Sequence, residues 1–221
     1  MVSGGQQPDS DTITPAQNPG LLVIRLEDTL TPEMASLRST SWDTGGSPST
    51  DEFDPESRHL VIRREGKPVA MVRLTIGARS VLQQWSRGAC PMPHGPTVAE
   101  LTRSVVASDV RRRGLYRLTM IETVLRLSGL GVTQATAAIA HEFPAKSFLI
   151  ELGFQNVGAP VRFDDLPRYG TLAQCIRLDL RTEQETGWGA MWREQVDRLA
   201  EHGFRVDSDA AAVIGGVTAP A

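Results

Sequence analysis

Apolar and polar residues change period several times along this chain, and each change marks an element. LLVIRLE, residues 21–27, is a short apolar run that predicts a strand. Thr31-Pro32-Glu33 follows with the pattern of a helix start, Thr31 as N-cap and proline at the first helical position, for a short helix ending near Thr40. HLVIRR and PVAMVRLTI are two further strand runs joined at Glu65-Gly66-Lys67, which predicts a hairpin. After the Pro- and Gly-rich connection ACPMPHGPT, TVAELTRSVV predicts another strand. The period then turns helical, with Leu115, Leu118, Ile121, Val124 and Leu125 on one face between Arg113 and Leu127. VTQATAAIA reads as a strand, PAKSFLIEL as a short helix with proline in its first turn, and GFQNV and TLAQCIRLDL as two more strands. From Glu183, residues Trp188, Met191, Trp192, Val196 and Leu199 share a helical face.

Strands outnumber helices and the two types interleave, which predicts an α/β domain over residues 21–182. Residues 1–20 contain almost no large apolar side chains and read as a disordered leader. Residues 183–205 read as an amphipathic helix packing on the domain or on a partner, as core packing or a dimer seam. Residues 206–221 read as a flexible Ala- and Gly-rich tail. The Ser- and Gly-rich TGGSPST reads as a flexible loop.

With 40% hydrophobic and 22% charged residues, 221 residues can bury one sizeable core. A formal net charge of -3 argues against a protein that coats nucleic acid or an anionic membrane, so any basic patch must be local. No apolar run approaches the roughly 20 residues that span a bilayer. Cys90 and Cys175 form no CxxC or Cys/His cluster and no secretory signal opens the chain, which together predict reduced, inert cysteines in a cytoplasmic protein. His59, His94, His141 and His202 are scattered without ligand spacing, so no metal is expected.

One local patch stands out. Arg111, Arg112 and Arg113 fall where the strand ending in VASDV hands over to the helix. A helix amino end already carries partial positive charge, so cations cluster there at a cost unless an anion offsets them. Consecutive N–H groups, the side chain-free approach at Gly114 and the helix dipole together suit a pyrophosphate. The alternative is a solvated basic helix start.

At this loop the chain resembles the GCN5-related N-acetyltransferase (GNAT) superfamily, whose acyl-carrier loop reads Arg/Gln-x-x-Gly-x-Gly/Ala after a Val-rich strand. The match runs over Arg111, Arg112, Arg113, Gly114, Leu115 and Tyr116, with Tyr116 departing from the last small position. A second hallmark, a helix ending in Leu-Gly-Phe, is matched by AKSFLIELGFQNVG about 35 residues on. A narrower resemblance, over residues 35–155, is to the acyl-homoserine lactone synthases and related N-acyl amino acid synthases. It rests on Arg38 with Trp42, Asp51-Glu52-Phe53-Asp54, Val72-Arg73-Leu74 and Glu100-Leu101-Thr102-Arg103. The second aromatic that signal synthases place between Trp42 and Asp51 is missing. Leu149 stands where the family usually has the tyrosine that protonates the leaving thiol.

The resemblance implies an α/β fold with a mixed, mainly antiparallel central sheet flanked by helices, splayed near Val105 and Val106 to admit a pantetheine arm. It implies acyl transfer from a phosphopantetheine thioester to a small-molecule amine, the donor being acyl-carrier protein or acyl-CoA, with no metal. Val106 and residues 111–116 would bind the donor, and Arg38, Trp42, Asp51, Asp54, Arg73 and Arg103 would shape the acceptor region. Those four Arg and Asp positions outside Arg103 and Trp42 also fit a surface charge network. Two readings stand for Glu100: a base drawing a proton from the amine through water, or an ion pair with Arg103 or Arg73. In a flat strand Glu100 and Thr102 share a face and Arg103 takes the other, unless a bulge changes the parity. His141 could serve as acid or base, or be merely exposed. A degenerate fold that binds an acyl thioester or partner without turnover is the alternative class. An aminoacyl-tRNA-dependent transferase is disfavoured by the acidity, and the protein would be a monomer or homodimer.

Overall fold

The structure, a computed structural model, describes residues 20–41, 50–77, 79–140, 144–163, 172–181 and 185–209. Alternation governs the first strand: β1 (Gly20–Glu27) buries Leu22 and Ile24 fully while Leu21 stays exposed. The helix predicted from Thr31 follows as α1 (Pro32–Ser41), its first turn held by the Met34 N–H donating to Thr31 Oγ1 at 3.4 Å. The predicted hairpin is β2 (Arg58–Arg64) and β3 (Lys67–Gly77), turning through Glu65 and Gly66, both at positive φ. A five-residue helix, α2 (Val81–Trp85), leads into β4 (Gly95–Val106). Then come α3 (Leu115–Gly129), β5 (Gln134–Ala140), α4 (Lys146–Glu151), β6 (Gln155–Arg162) and β7 (Leu172–Asp179). The described chain closes with α5 (Glu185–Glu201) and β8 (Phe204–Ser208).

All eight strands form one sheet in the order β6-β7-β5-β4-β3-β2-β1-β8. Only β4–β5 and β1–β8 are parallel pairs, so the sheet is mixed and mainly antiparallel as expected. The main core lies on one face, where Leu118, Ile121 and Val124 of α3, Leu149 of α4 and Trp188 of α5 meet Ile24, Ile62, Val72 and Leu101 of the sheet. Each such side chain contributes about 1.5–3 kcal/mol of transfer free energy. A smaller cluster on the other face joins Met34 and Leu37 of α1 to Val61, Met71 and Val105.

Two features position the site. β4 and β5 pair only from Val98↔Gln134 to Leu101↔Ala137 and then part, which is the expected splay, beginning a few residues before Val105. Against β3, Thr102 sits opposite Arg73 and Val105 opposite Met71, so Arg103 and Ser104 together face Val72. This bulge holds Arg103 at φ +55, in the left-handed region, and reverses the parity after Thr102.

Three expectations are corrected. The sequence predicts no element between the hairpin and the strand at 97–106, yet α2 forms because Ser80 caps it, accepting from the Gln83 N–H at 3.0 Å. Residues 206–208 belong to a strand, not to a frayed tail: FRVDS alternates in and out and pairs in parallel with β1. Cys90 and Cys175, 85 residues apart, are bonded to each other, and both are buried beside Leu82, Met92 and Phe163. Residues 1–19, most of TGGSPST and residues 210–221 lie outside the described residues.

Candidate active site

Where β4 and β5 part, the gap is a cavity of about 310 Å³. Its walls are mostly apolar: Leu101 and Ala137 to Ala140 from the strands, Met120 from α3, Leu149 from α4, Leu82 and Trp85 from α2, with Phe163 and Ala173. Polar groups enter through Thr102, Arg103 and Ser104 on β4 and through Tyr116. Tyr116 also meets Phe148 edge-on, ring centroids 6.4 Å apart. Leu149, which stands where the family usually has its tyrosine, is 1% exposed and presents only hydrocarbon, while Tyr116 is the phenol among the described residues of this cavity's wall.

The arginine loop leads to the same cavity, because it ends in Tyr116. Arg111 is tied down, donating from Nε to the Val106 carbonyl and from Nη2 to the Ser41 carbonyl, each at 3.1 Å. Arg111, Arg112 and Arg113 are exposed; Arg112 sits at φ +64, and the Arg113 guanidinium lies 5.7 Å from the Phe204 ring centre. Arg117, one turn into α3, stacks on Phe148 at 4.2 Å and pairs with Glu151. Leu115 belongs to the main core. Gly114 is the N-cap of α3 at φ +85, where glycine is at little cost. A β-carbon on it would collide with the side-chain amide of Gln195 from α5. Gly114→Val is therefore expected to lose about 1–3 kcal/mol from strain before any donor is bound. Thermal melting of Gly114→Val and of Gly114→Val with Gln195→Ala checks this: the second change should recover the packing part but not the φ part.

Arg103 also joins a buried charge cluster. Asp54 Oδ1 accepts from Arg38 Nη1 at 2.7 Å and from Arg73 Nη1 at 3.1 Å, and its Oδ2 accepts from the Asp51 N–H at 2.9 Å. Asp51 accepts from Arg73 Nη1 and, through Oδ2, from Arg103 Nη2 at 2.8 Å. Arg73 Nε donates to Thr102 Oγ1 at 2.9 Å. Arg38, Asp54 and Arg73 are at most 5% exposed, so the predicted set is a single buried cluster and not a surface network. Three guanidinium groups face two carboxylates, which leaves the cluster with a formal charge of +1 beside the cavity. Burial opposes ionisation of Asp51, but Arg73 and Arg103 outweigh it and hold its carboxyl below the usual range.

The sequence did not single out His59, which is fully buried on β2 with Nδ1 3.2 Å from Arg38 Nη2. An arginine only donates, so Nδ1 accepts and the ring is neutral. Burial first, then the Arg38 charge, lower its pKa from 6.5 to about 4. Between these values the unfolded chain takes up a proton that the folded chain refuses. Stability is therefore full above pH 6.5 and falls as pH drops toward 4, by about 3 kcal/mol from this residue. Melting temperatures from pH 7.5 to 4 should drop less steeply for His59→Gln than for the parent.

Glu100 is 3% exposed and does not line the cavity. It pairs with neither Arg73 nor Arg103: one oxygen accepts from the Ser80 hydroxyl, the other from the Leu82 N–H at 3.0 Å. Burial pushes its carboxyl up, against these hydrogen bonds. Trp85, also unforeseen, lies with its ring centre 5.5 Å from the Arg73 guanidinium and 5.3 Å from that of Arg103. The signal for it was the capping serine ahead of VLQQW. Trp42 and His141 lie outside the described residues. Among those residues no group of three or more His, Cys, Asp or Glu could hold a metal ion, and no helix is long and apolar enough to cross a membrane.

Comparison with known proteins agrees with this geometry. A sequence model of the acetyltransferase (GNAT) domain matches residues 33–121, from α1 through the first half of α3. No curated protein matches the sequence. Among solved structures, the acyl-homoserine lactone synthase LasI superposes with a TM-score of 0.58 at 13% identity, covering 76% of this chain and 95% of its own. The CoA-dependent acyl-homoserine lactone synthase BjaI, with SAM and isopentyl-CoA, gives 0.57 at 15% identity, covering 88% and 98%. The ribosomal-protein-S18-alanine N-acetyltransferase from Escherichia coli gives 0.51 at 15%, covering 72% and 95%. Residues 33–121 thus match the acetyltransferase (GNAT) domain, and the described chain, with its splayed β4–β5 pair, shares the fold of these acyltransferases.

Proposed function

We propose that the protein transfers an acyl group from a phosphopantetheine thioester to the amine of a small molecule. The observation that carries this reading is one cavity lined both by Tyr116, at the end of the basic loop, and by Thr102 and Arg103, which bond to the buried Arg/Asp cluster. A donor phosphate would meet the exposed arginines and the amino end of α3, and the pantetheine arm would run between the splayed strands. The amine nitrogen attacks the thioester carbonyl, the C–S bond breaks, and the nitrogen's proton is released as the thiolate is protonated. Apolar walls exclude the water that would compete as nucleophile, and holding the reactants together supplies much of the acceleration. Arg73, Thr102 and Arg103 border the acceptor end, and Tyr116 offers a phenol near the leaving sulfur. A thiolate with pKa near 8.5 leaves without strong acid help.

Acyl-carrier protein is the donor we favour. Arg112 is exposed and Arg117 half-buried on the same loop and helix start, an extended basic surface suited to an acidic protein. The structurally similar synthase BjaI is CoA-dependent, and a pyrophosphate would suit the same loop. Charge reversal separates the two. Arg112→Glu with Arg117→Glu is expected to raise KM for an acyl-carrier-protein thioester about tenfold or more, while KM for the matching acyl-pantetheine changes little. Equal effects on both donors would refute protein docking at this surface.

A further inference from the structure

Every hydrogen bond of the Glu100 carboxylate goes to one place, the start of α2. Ser80 donates to one oxygen and the Leu82 N–H to the other, at 3.0 Å, while Ser80 Oγ also accepts from the Gln83 N–H. The first N–H groups of a helix have no partner inside it, so this single side chain fastens the amino end of α2 to the sheet. Five residues are too few to hold a helix by its own hydrogen bonds, so α2 depends on what grips it.

The far end is gripped as well. The Cys90 N–H donates to Ser86 Oγ at 2.9 Å, and Cys90 is bonded to Cys175 of β7. The strap from Ser80 to Cys90 is thus fixed at both ends. Between those ends it places Leu82 and Trp85 on the cavity wall, with Trp85 against the guanidinium groups of Arg73 and Arg103.

We propose that Glu100 is a positioning residue: it anchors α2 so that Leu82 and Trp85 wall the acyl cavity, and it does not take the proton of the amine. This rests on the acyl-transfer reading for what the cavity holds, while the anchoring itself stands apart from it. A base must reach the amine directly or through one water, whereas this carboxylate spends both oxygens on α2 behind the wall. The long acyl part of a donor should then sense Glu100 and the short acetyl group much less.

Glu100→Ala and Glu100→Gln separate the roles, because glutamine keeps a carbonyl for the Leu82 N–H and an amide for Ser80. Amide hydrogen exchange of peptides covering residues 81–90, read without substrate, should rise about tenfold in Glu100→Ala and stay near the parent in Glu100→Gln. Affinity for octanoyl-pantetheine should fall about fivefold or more in Glu100→Ala, with acetyl-pantetheine little changed and Glu100→Gln close to parent. Turnover of Glu100→Gln should remain within a few-fold of the parent, against a loss of about 100- to 10,000-fold for a general base. Unchanged exchange at 81–90 in Glu100→Ala, or loss of turnover in Glu100→Gln with exchange unchanged, overturns the proposal. If Glu100→Ala does not fold, Ser80→Ala carries the same exchange and affinity readouts. Should the parent itself show no acyl transfer, the exchange measurement still decides whether Glu100 anchors α2, and only the reading of the cavity falls.

Discussion

Asp54→Ala is expected to be the most destabilising single change in the cluster, lowering stability by about 3–5 kcal/mol. Asp54 is 5% exposed and receives Arg38, Arg73 and the Asp51 N–H on its two oxygens. Removing it leaves three buried guanidinium groups sharing the single carboxylate of Asp51. Arg38, 1% exposed, then loses the carboxylate that its Nη1 donates to, and weakening the counter-charge of a buried cation is costly. Domains of this kind have about 5–15 kcal/mol in total, so the variant should melt far below the parent or fail to accumulate folded. Asp54→Asn, which keeps acceptor and shape but not charge, should fall between the two. Urea titration of the three proteins checks the order. Parent-like stability of Asp54→Ala would mean that solvent reaches the cluster and screens it.

Ala138→Trp should have the largest effect on activity at small cost to the fold. Ala138 is half-buried, lies on β5 beyond the last residue paired with β4, and lines the cavity. An indole there fills space that the donor needs, while the strand keeps its antiparallel pairing with Cys175 on β7. Overpacking of this kind costs about 1–3 kcal/mol. Misplacing the reacting atoms by an ångström already costs about 100-fold, so turnover should drop by at least about that factor. Melting temperature and turnover on one preparation give the answer, and near-parent turnover would move the donor elsewhere.

Much of this fold could be read from apolar runs and period, because β3 and β4 are continuously buried from Val69 to Thr75 and from Val98 to Arg103, and the leucines and isoleucine of α3 recur at helical spacing. What escaped was short or set by tertiary partners. α2 has five residues, less than two turns, and exists because Ser80 caps it and Glu100 holds its amides. β8 is five residues and needs β1 beside it. The bulge at Arg103 has no local mark, yet it turns that side chain to Asp51 against strand parity. Arg38, Asp51, Asp54, Arg73 and Arg103 were found by resemblance and do converge, whereas His59 entered through burial that no spacing announces, and Trp85 through a short helix marked only by its capping Ser80. Gly114 was expected to make room for phosphate; in the fold its bare side also faces Gln195. The cysteine bond joins segments 85 residues apart, a pairing that two isolated cysteines do not reveal.

The central claim is tested most directly by incubating the protein with octanoyl-acyl-carrier protein and octanoyl-CoA against a panel of small-molecule amines, following free thiol and the amide product together. The account predicts thiol release that depends on the amine, stoichiometric amide, and loss of both in Ala138→Trp. Donor binding with no amide from any amine would contradict it and leave a thioester-binding protein without transfer.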